Sequence, residues 1–254
     1  MCVAFLNISE TEKIMSDTLK TSWLWPPPEP VGVDVTDIAG NPVKEKFPVF
    51  RVFCVGRNYE AHAVEMNAEI DREAPFYFTK APSTIACNVK EIAYPSGTTN
   101  FHHEVELVIA LGGDAFRVAE EDALQVIYGY ACGIDLTRRD LQNKAKADRK
   151  PWDLSKDIEQ GAVISAIKQW PVGHLPDHAR IELRVNGEQR QDASLAQMVW
   201  KIPEIISHLS NYYHLKAGDL IYTGTPAGVG ALEVGDQVDA SIEDVGELSL
   251  RITA

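Results

Sequence analysis

The residues able to do chemistry gather first in Phe101-His102-His103-Glu104-Val105-Glu106-Leu107-Val108-Ile109-Ala110-Leu111. As a strand, this stretch puts Phe101, His103, Val105, Leu107, Ile109 and Leu111 on one nearly apolar face. His102, Glu104, Glu106, Val108 and Ala110 fall on the other. That second face starts with three metal-competent side chains and then turns apolar, so its carboxylates head into a buried region. Adjacent buried carboxylates repel each other and lose solvation unless a positive charge lies between them. A divalent cation supplies that charge, and oxygen donors favour a hard ion such as Mg²⁺ or Mn²⁺. Taken alone, the same residues also read as an ordinary solvated strand face.

Three further groups bear on the choice. Asp135 closes a Gly-containing apolar run, Tyr128 to Leu136. It is either a third carboxylate for the cation or an N-cap for the helix that follows. His62 and Glu65 stand at i and i+3, one face of a helical turn. A carboxylate on one imidazole nitrogen orients the ring and leaves the other nitrogen free to deprotonate water, although a plain surface pair has the same spacing. Arg138, Arg139, Gln142, Lys144 and Lys146 share a basic helix. Most of these read as a solvated face, but Arg139 and Gln142 can turn inward together. Lys156 follows an aromatic in Pro151-Trp152-Asp153-Leu154-Ser155-Lys156, and Lys80 ends an aromatic strand, so both are candidates for partial burial. Finally, Thr223-Gly224-Thr225-Pro226-Ala227-Gly228 offers hydroxyls and backbone N–H groups suited to a carboxylate, or else forms a common tight turn. It is not a P-loop, because GxxxxGK[ST] is absent.

The elements that must position these groups are short. Strands are expected at 49–55, 76–80, 101–111 and 128–136. Helices are expected from Arg57 to Ala68, from Glu120 through Tyr128, from Thr137 to Arg149 behind a capping-box-like start, and after Pro203 with Ile205, Ile206 and Leu209 on one apolar face. Asn186-Gly187 signals a hairpin. The glycines at 129 and 133 imply close backbone approach. Short strands outnumber helices and do not alternate as βαβ units, so the expected class is a β-rich α+β fold rather than a doubly wound sheet.

Residues 1–48 differ from the rest. Trp25-Pro26-Pro27-Pro28-Glu29-Pro30, with Pro42 and Pro48, predicts an extended N-terminal arm, with a small hairpin around Ala39-Gly40-Asn41. Residues 49–254 then form the main domain. A second methionine, Met15, is a candidate natural start, and residues 1–14 are expected to be dispensable.

The chain has 254 residues, with 24 Lys and Arg against 37 Asp and Glu, a formal charge of −13. An acidic surface argues against nucleic acid and anionic membranes as partners, and an anionic substrate would need a local cationic pocket. The four cysteines form no CxxC pair, which fits a reducing compartment and disfavours a zinc knuckle. No apolar run has membrane-spanning length and no signal peptide is evident, so a soluble, cytoplasmic protein is expected.

Taken together, the motifs resemble the fumarylacetoacetate hydrolase family. Gly56-Arg57-Asn58-Tyr59, His62 with Glu65, His102-x-Glu104-x-Glu106, Asp135 with Arg139 and Gln142, Lys156, Asn186-Gly187-Glu188 and Thr223-Gly224-Thr225-Pro226 occur in the family's order. The resemblance runs from about Val49 to the C-terminus. It implies a mixed β-sandwich roll, a homodimer, and Mg²⁺ or Mn²⁺ held by Glu104, Glu106 and Asp135. It further implies His62 as general base oriented by Glu65, and Arg139, Gln142 and Lys156 as stabilisers of negative charge. Thr225, with Gly224, would hold the substrate carboxylate, and Arg57 and Lys80 would add positive charge.

Within the family the chain looks most like the branch acting on fumarylpyruvate in gentisate-type aromatic catabolism. Tyr128-Gly129-Tyr130, Leu136 to Gln142 and Met198 to Ile206 carry that likeness. Leu195, where many members have Thr, is a departure that bears on substrate contacts. The implied reaction is hydrolysis of the C–C bond of an acylpyruvate, a small anionic 2-oxo acid. Decarboxylation or isomerisation of oxaloacetate or a related 2-oxo acid is the alternative, and a metal-containing binding protein without turnover is the third reading.

Overall fold

The computed structural model describes residues 24–66 and 72–254, and the expectation about residues 1–14 lies outside them. By its contacts the chain divides into residues 1–30 and residues 31–254. The described part of the first unit, residues 24–30, contains no helix or strand, as its prolines dictate.

The second unit is mostly β, and its largest sheet has ten strands. The main path runs through Pro42–Pro48, Gly32–Thr36, Ile167–Gln169, Ile127–Asp135, Val105–Leu111, Asp219–Tyr222, Arg51–Gly56 and Phe76–Lys80. Ala162–Ile164 pairs with Ile85–Cys87 and Ile127–Asp135 beside it. A five-stranded sheet holds Glu188–Ser194, Arg180–Val185, Gln237–Ile242, Gly246–Thr253 and Glu91–Ala93. A three-stranded sheet holds Thr137–Arg138, Phe101–His103 and Gly230–Leu232. Parallel and antiparallel pairs are mixed. No helix among the described residues is long and apolar enough to cross a membrane.

Residues 31–48 belong to this unit rather than to an arm. Gly32–Thr36 and Pro42–Pro48 make a hairpin whose Val33, Val35 and Phe47 are buried in the core. The prolines at its ends were compatible with an edge strand all along, because an edge leaves one side of the backbone unpaired.

The 101–111 stretch is two strands, not one. Phe101–His103 belongs to the three-stranded sheet and Val105–Leu111 to the ten-stranded sheet, with Glu104 at the switch. The expected alternation persists through it. Val105, Leu107, Ile109 and Leu111 enter one core cluster with Ile181, Leu183, Val238 and Leu250 of the five-stranded sheet. Val108 and Ala110 enter the cluster on the other face with Val52, Cys54 and Tyr222. Gly133 lies opposite Glu106 in the ladder. A Cβ there would sit 2.5 Å from Val108 and 2.7 Å from Tyr222, so only glycine lets these layers meet.

The helices among the described residues are short: Glu60–Glu65, Arg139–Asp148, Asp153–Lys156 and Ile202–Ser210. The last buries Ile205, Ile206 and Leu209 as its spacing predicts. Glu120–Val126 is a 3-10 turn rather than an α-helix, and the strand after it starts at Ile127. The capping box expected at Thr137 does not form. Arg138 is the N-cap, without a side-chain bond, and Thr137 accepts from Lys156 instead.

Candidate active site

The site forms where two strands leave the ten-stranded sheet at the same corner. Asp135 N donates to Glu104 O at 2.8 Å just as both segments turn into the three-stranded sheet. Glu104, Glu106 and Asp135 therefore converge, each buried, with one carboxylate oxygen of each within 4.8 Å of the others. Asp135 is a member of this cluster, not an N-cap.

Cations close the corner from one side. Lys156 Nζ donates to Asp135 Oδ2 at 2.5 Å, Glu104 Oε2 at 2.8 Å and Thr137 Oγ1 at 2.8 Å. Arg139 donates to the other oxygen of Glu104 and to Gln142 Oε1. Lys80 Nζ lies 2.7 Å from Asp135 Oδ1, but not in hydrogen-bonding geometry, so that buried oxygen has no donor. Glu106 forms no ion pair among the described residues; its hydrogen bond comes from Gly224 N at 2.7 Å.

The electrostatics follow this division. Burial alone would push Glu104 up, but Lys156 and Arg139 hold it well below the usual carboxylate range. Burial, together with the charges of Asp135 and Glu104, pushes Glu106 well above that range. An all-oxygen donor set with one orphaned oxygen and one uncompensated carboxylate fits a hard divalent cation. Glu104, Glu106 and Asp135 are the residues that could hold it.

Across from the carboxylates stands His62, 6% exposed, with Nδ1 3.2 Å from Glu65 Oε2. Gly228 N in turn donates to Glu65 at 3.1 and 3.2 Å. Burial pushes the His62 imidazole below its ordinary pKa, so the ring is neutral at pH 7. His62, Glu104, Glu106, Arg139, Gln142, Lys156 and Thr225 line one small inner chamber.

Two expected substrate contacts do not face that chamber. The Lys80 side chain is completely buried behind the cluster, bonded to Leu136 O at 3.3 Å and to Lys156 O. Its ammonium is committed to Asp135 and two backbone carbonyls. Gly224 gives its N–H to Glu106, so it positions a carboxylate instead of binding one. At φ 95°, with a Cβ only 2.7 Å from Asn58 Cβ, it could be nothing but glycine. Arg57 does reach the chamber wall, on a backbone at φ 60°. His102, grouped with the carboxylates by strand alternation, bonds Asn100 at 2.8 Å and lies outside the carboxylate cluster.

Several residues of the site carry no local sequence signal. Gln191, fully buried, accepts from Val105 N at 3.1 Å, pairs with His103 Nδ1 at 3.0 Å and donates to Thr225 Oγ1 at 2.8 Å. It ties the carboxylate strand to the Thr225 loop. Asn58 clamps Trp200 in both directions and donates to Thr223 O at 2.8 Å. Asn58 lies within Gly56-Arg57-Asn58-Tyr59, so motif position was its one available clue.

Comparison with known proteins gives this geometry a lineage. The model of the fumarylacetoacetate (FAA) hydrolase C-terminal family matches residues 51–253. A fumarylpyruvate hydrolase from Ralstonia sp is 47% identical over 189 residues, covering 74% of this chain and 98% of that protein. An oxaloacetate tautomerase from Escherichia coli (strain K12) is 38% identical over 201 residues, covering 78% and 90%. A crystal structure of fumarylpyruvate hydrolase from Pseudomonas aeruginosa, in complex with Mn²⁺ and pyruvate, superposes with a TM-score of 0.86 at 41% identity, covering 91% of this chain and 99% of that one. With the matched segment spanning the whole corner from Arg51 to the last strand, this chain belongs to the fumarylacetoacetate hydrolase family.

Proposed function

We propose that this enzyme hydrolyses the C–C bond of an acylpyruvate in a divalent-metal-dependent reaction, with fumarylpyruvate, cleaved to fumarate and pyruvate, as its substrate. The observation that carries this reading is a neutral His62, backed by Glu65, lining the same small chamber as Glu104 and Glu106, with Asp135 clustered against those two carboxylates. Relatives named for fumarylpyruvate, one of them holding Mn²⁺ and pyruvate, support it.

Mg²⁺ or Mn²⁺ bound by Glu104, Glu106 and Asp135 would polarise the 2-oxo acid end and offset negative charge there. The chain's own residues do the rest. Glu65 occupies His62 Nδ1, which leaves Nε2 to take a proton from water. That water's oxygen bonds to the acyl carbonyl carbon, the bond to pyruvate C3 breaks, and the proton is returned to C3. Arg139 already fills Gln142 Oε1, so the Gln142 amide N–H group is free to donate to a substrate oxygen. Thr225 Oγ1 accepts from Gln191, so its own hydrogen is free for the substrate carboxylate. Lys156 and Arg139 hold positive charge beside the leaving pyruvate.

Decarboxylation or tautomerisation of oxaloacetate is the second reading, favoured by the 38% identical tautomerase. It requires no water-activating base. The test is to mix the Mn²⁺-loaded enzyme with fumarylpyruvate, acetylpyruvate and oxaloacetate. Loss of the conjugated enol band with stoichiometric pyruvate from fumarylpyruvate supports hydrolysis. Turnover of oxaloacetate alone, by CO₂ release or keto–enol exchange, supports the second reading. A homodimer working in the cytoplasm in gentisate-type catabolism completes the proposal. A monomeric mass in solution would contradict the dimer.

A further inference from the structure

The inner chamber adjoins a larger cavity of about 570 Å³, and Gly56, Arg57, Phe78, Lys146, Trp152 and Lys156 line both. A molecule with one end among the carboxylates must therefore extend its other end into this outer space. The outer walls are unlike the rest of an acidic protein. Among the described residues, Arg57, Lys146, Arg149, Lys150 and Lys156 line them against the one carboxylate of Asp153. Aromatic rings supply flat surface between the charges. Trp152 packs against Phe76 at 4.9 Å and Phe78 at 5.9 Å between centroids.

Two of these cations lack partners. Arg57 Nε is buried with no acceptor among the described residues, which is costly unless a ligand supplies one. Lys146 Nζ sits 5.2 Å over the Trp152 ring, with no carboxylate paired to it among the described residues. Lys146 continues the inward face of its helix, at i+7 from Arg139 and i+4 from Gln142, so the face that begins in the inner chamber ends in the outer one. We propose that Lys146 and Arg57 form a second anion subsite, which receives a carboxylate at the far end of the acyl chain and selects dicarboxylic acylpyruvates over those with neutral acyl groups. This rests on the acylpyruvate reading above and specifies its substrate class: a planar, conjugated acyl chain against Trp152 and Phe78, ending in a carboxylate. Burial, together with repulsion from Arg139 and Arg57, holds the Lys146 ammonium down at about 8. An anion placed between Lys146 and Arg57 relieves that repulsion.

The experiment uses Mn²⁺-loaded wild type, Lys146→Met and Lys146→Arg. Methionine keeps an apolar stem over Trp152 and removes the charge, and arginine restores it. The readout is kcat/KM for fumarylpyruvate divided by kcat/KM for acetylpyruvate. One lost charge-assisted contact should lower that ratio roughly ten- to a hundredfold in Lys146→Met, chiefly through KM for fumarylpyruvate, with Lys146→Arg recovering most of it. An unchanged ratio, or an equal loss on both substrates, overturns the subsite. Failure of the hydrolase reading looks different, because wild type would then turn over neither acylpyruvate. The subsite is in that case judged by calorimetric affinity for the same two compounds. A selective loss for fumarylpyruvate in Lys146→Met sustains it, and an equal affinity refutes it.

Discussion

Removing His62 should damage hydrolysis far more than binding. The ring touches the chamber but none of the three carboxylates by hydrogen bond, and its described partner is Glu65 at 3.2 Å. General-base catalysis supplies about 10²–10⁴ in rate, or about 3–5 kcal/mol of barrier. His62→Ala should therefore lose a factor of that order in kcat, with KM for fumarylpyruvate little changed. Glu65→Gln should lose less, because the imidazole remains but is less basic and less firmly oriented. The pH profile adds a sign. Burial lowers the His62 pKa below its ordinary value of 6.5, so the base is lost only as pH falls through that lowered value. The acid limb of kcat should accordingly lie below pH 6.5 in wild type and vanish in His62→Ala. The assay is pyruvate release under saturating Mn²⁺, with oxaloacetate turnover as a parallel reaction that needs no activated water. If folded, Mn²⁺-loaded His62→Ala cleaves fumarylpyruvate at nearly the wild-type rate, the catalytic assignment is wrong. If both reactions fall together, His62 is structural.

Glu106→Ala should abolish Mn²⁺ binding by calorimetry while the metal-free protein keeps its Tm, because the lost carboxylate has no cation partner among the described residues. Wild type should gain about 2.7 kcal/mol of stability at a metal concentration one hundred times Kd, and the variant should gain none. Gly228→Ala should lower kcat and Tm together. Gly228 sits at φ 97° and a Cβ would stand 1.9 Å from Arg190 O, so the N–H that anchors Glu65 must move. With Lys146 held at about 8 by burial, Arg139 and Arg57, against the opposing pull of Glu104, KM for fumarylpyruvate should rise as pH climbs past 8, because the subsite loses its charge. KM for acetylpyruvate should not follow it.

The sequence carried the ligand set further than the frame around it. Glu104 and Glu106 are legible because strand alternation puts residues i and i+2 on one side, and that relation survives the change of sheet at Glu104. His102 obeys the same alternation and yet leaves the group, because the break at Glu104 turns the earlier residues towards Asn100 and Arg139. Periodicity records faces, not the place where a chain passes from one sheet to another. Lys80 failed for a related reason. A lysine after an aromatic strand is the same string whether its ammonium faces a cavity or a buried aspartate, and only the 2.7 Å contact with Asp135 decides. Gln191 was beyond reach, since it lies in Glu-Gln-Arg-Gln-Asp, where most neighbours are exposed and polar. Residues 31–48 misled because proline density signals both a free arm and an edge hairpin.

The charges of the corner bear on why the substrate should be an anion with two oxygens to offer. With Glu106 ionised, as a bound cation would require, Glu104, Glu106 and Asp135 carry three negative charges against the three positive ones of Lys80, Arg139 and Lys156, all buried. Buried charge is tolerated when it is paired, and this set is neutral in sum but not in detail. The cations crowd Glu104 and Asp135, while Glu106 faces the chamber without one. A divalent ion seated by Glu106 would leave this buried corner with two positive charges in excess. Such an excess is itself costly in a buried site and calls for a ligand that returns it to neutrality. A 2-oxo acid does so as its enolate forms, with one charge on the carboxylate and a second developing on the adjacent oxygen. On the proposed hydrolysis the site would be closest to neutral as the C–C bond breaks, which would favour the transition state over the bound substrate. Lys80, fully buried against Asp135, contributes to that balance without lining the chamber.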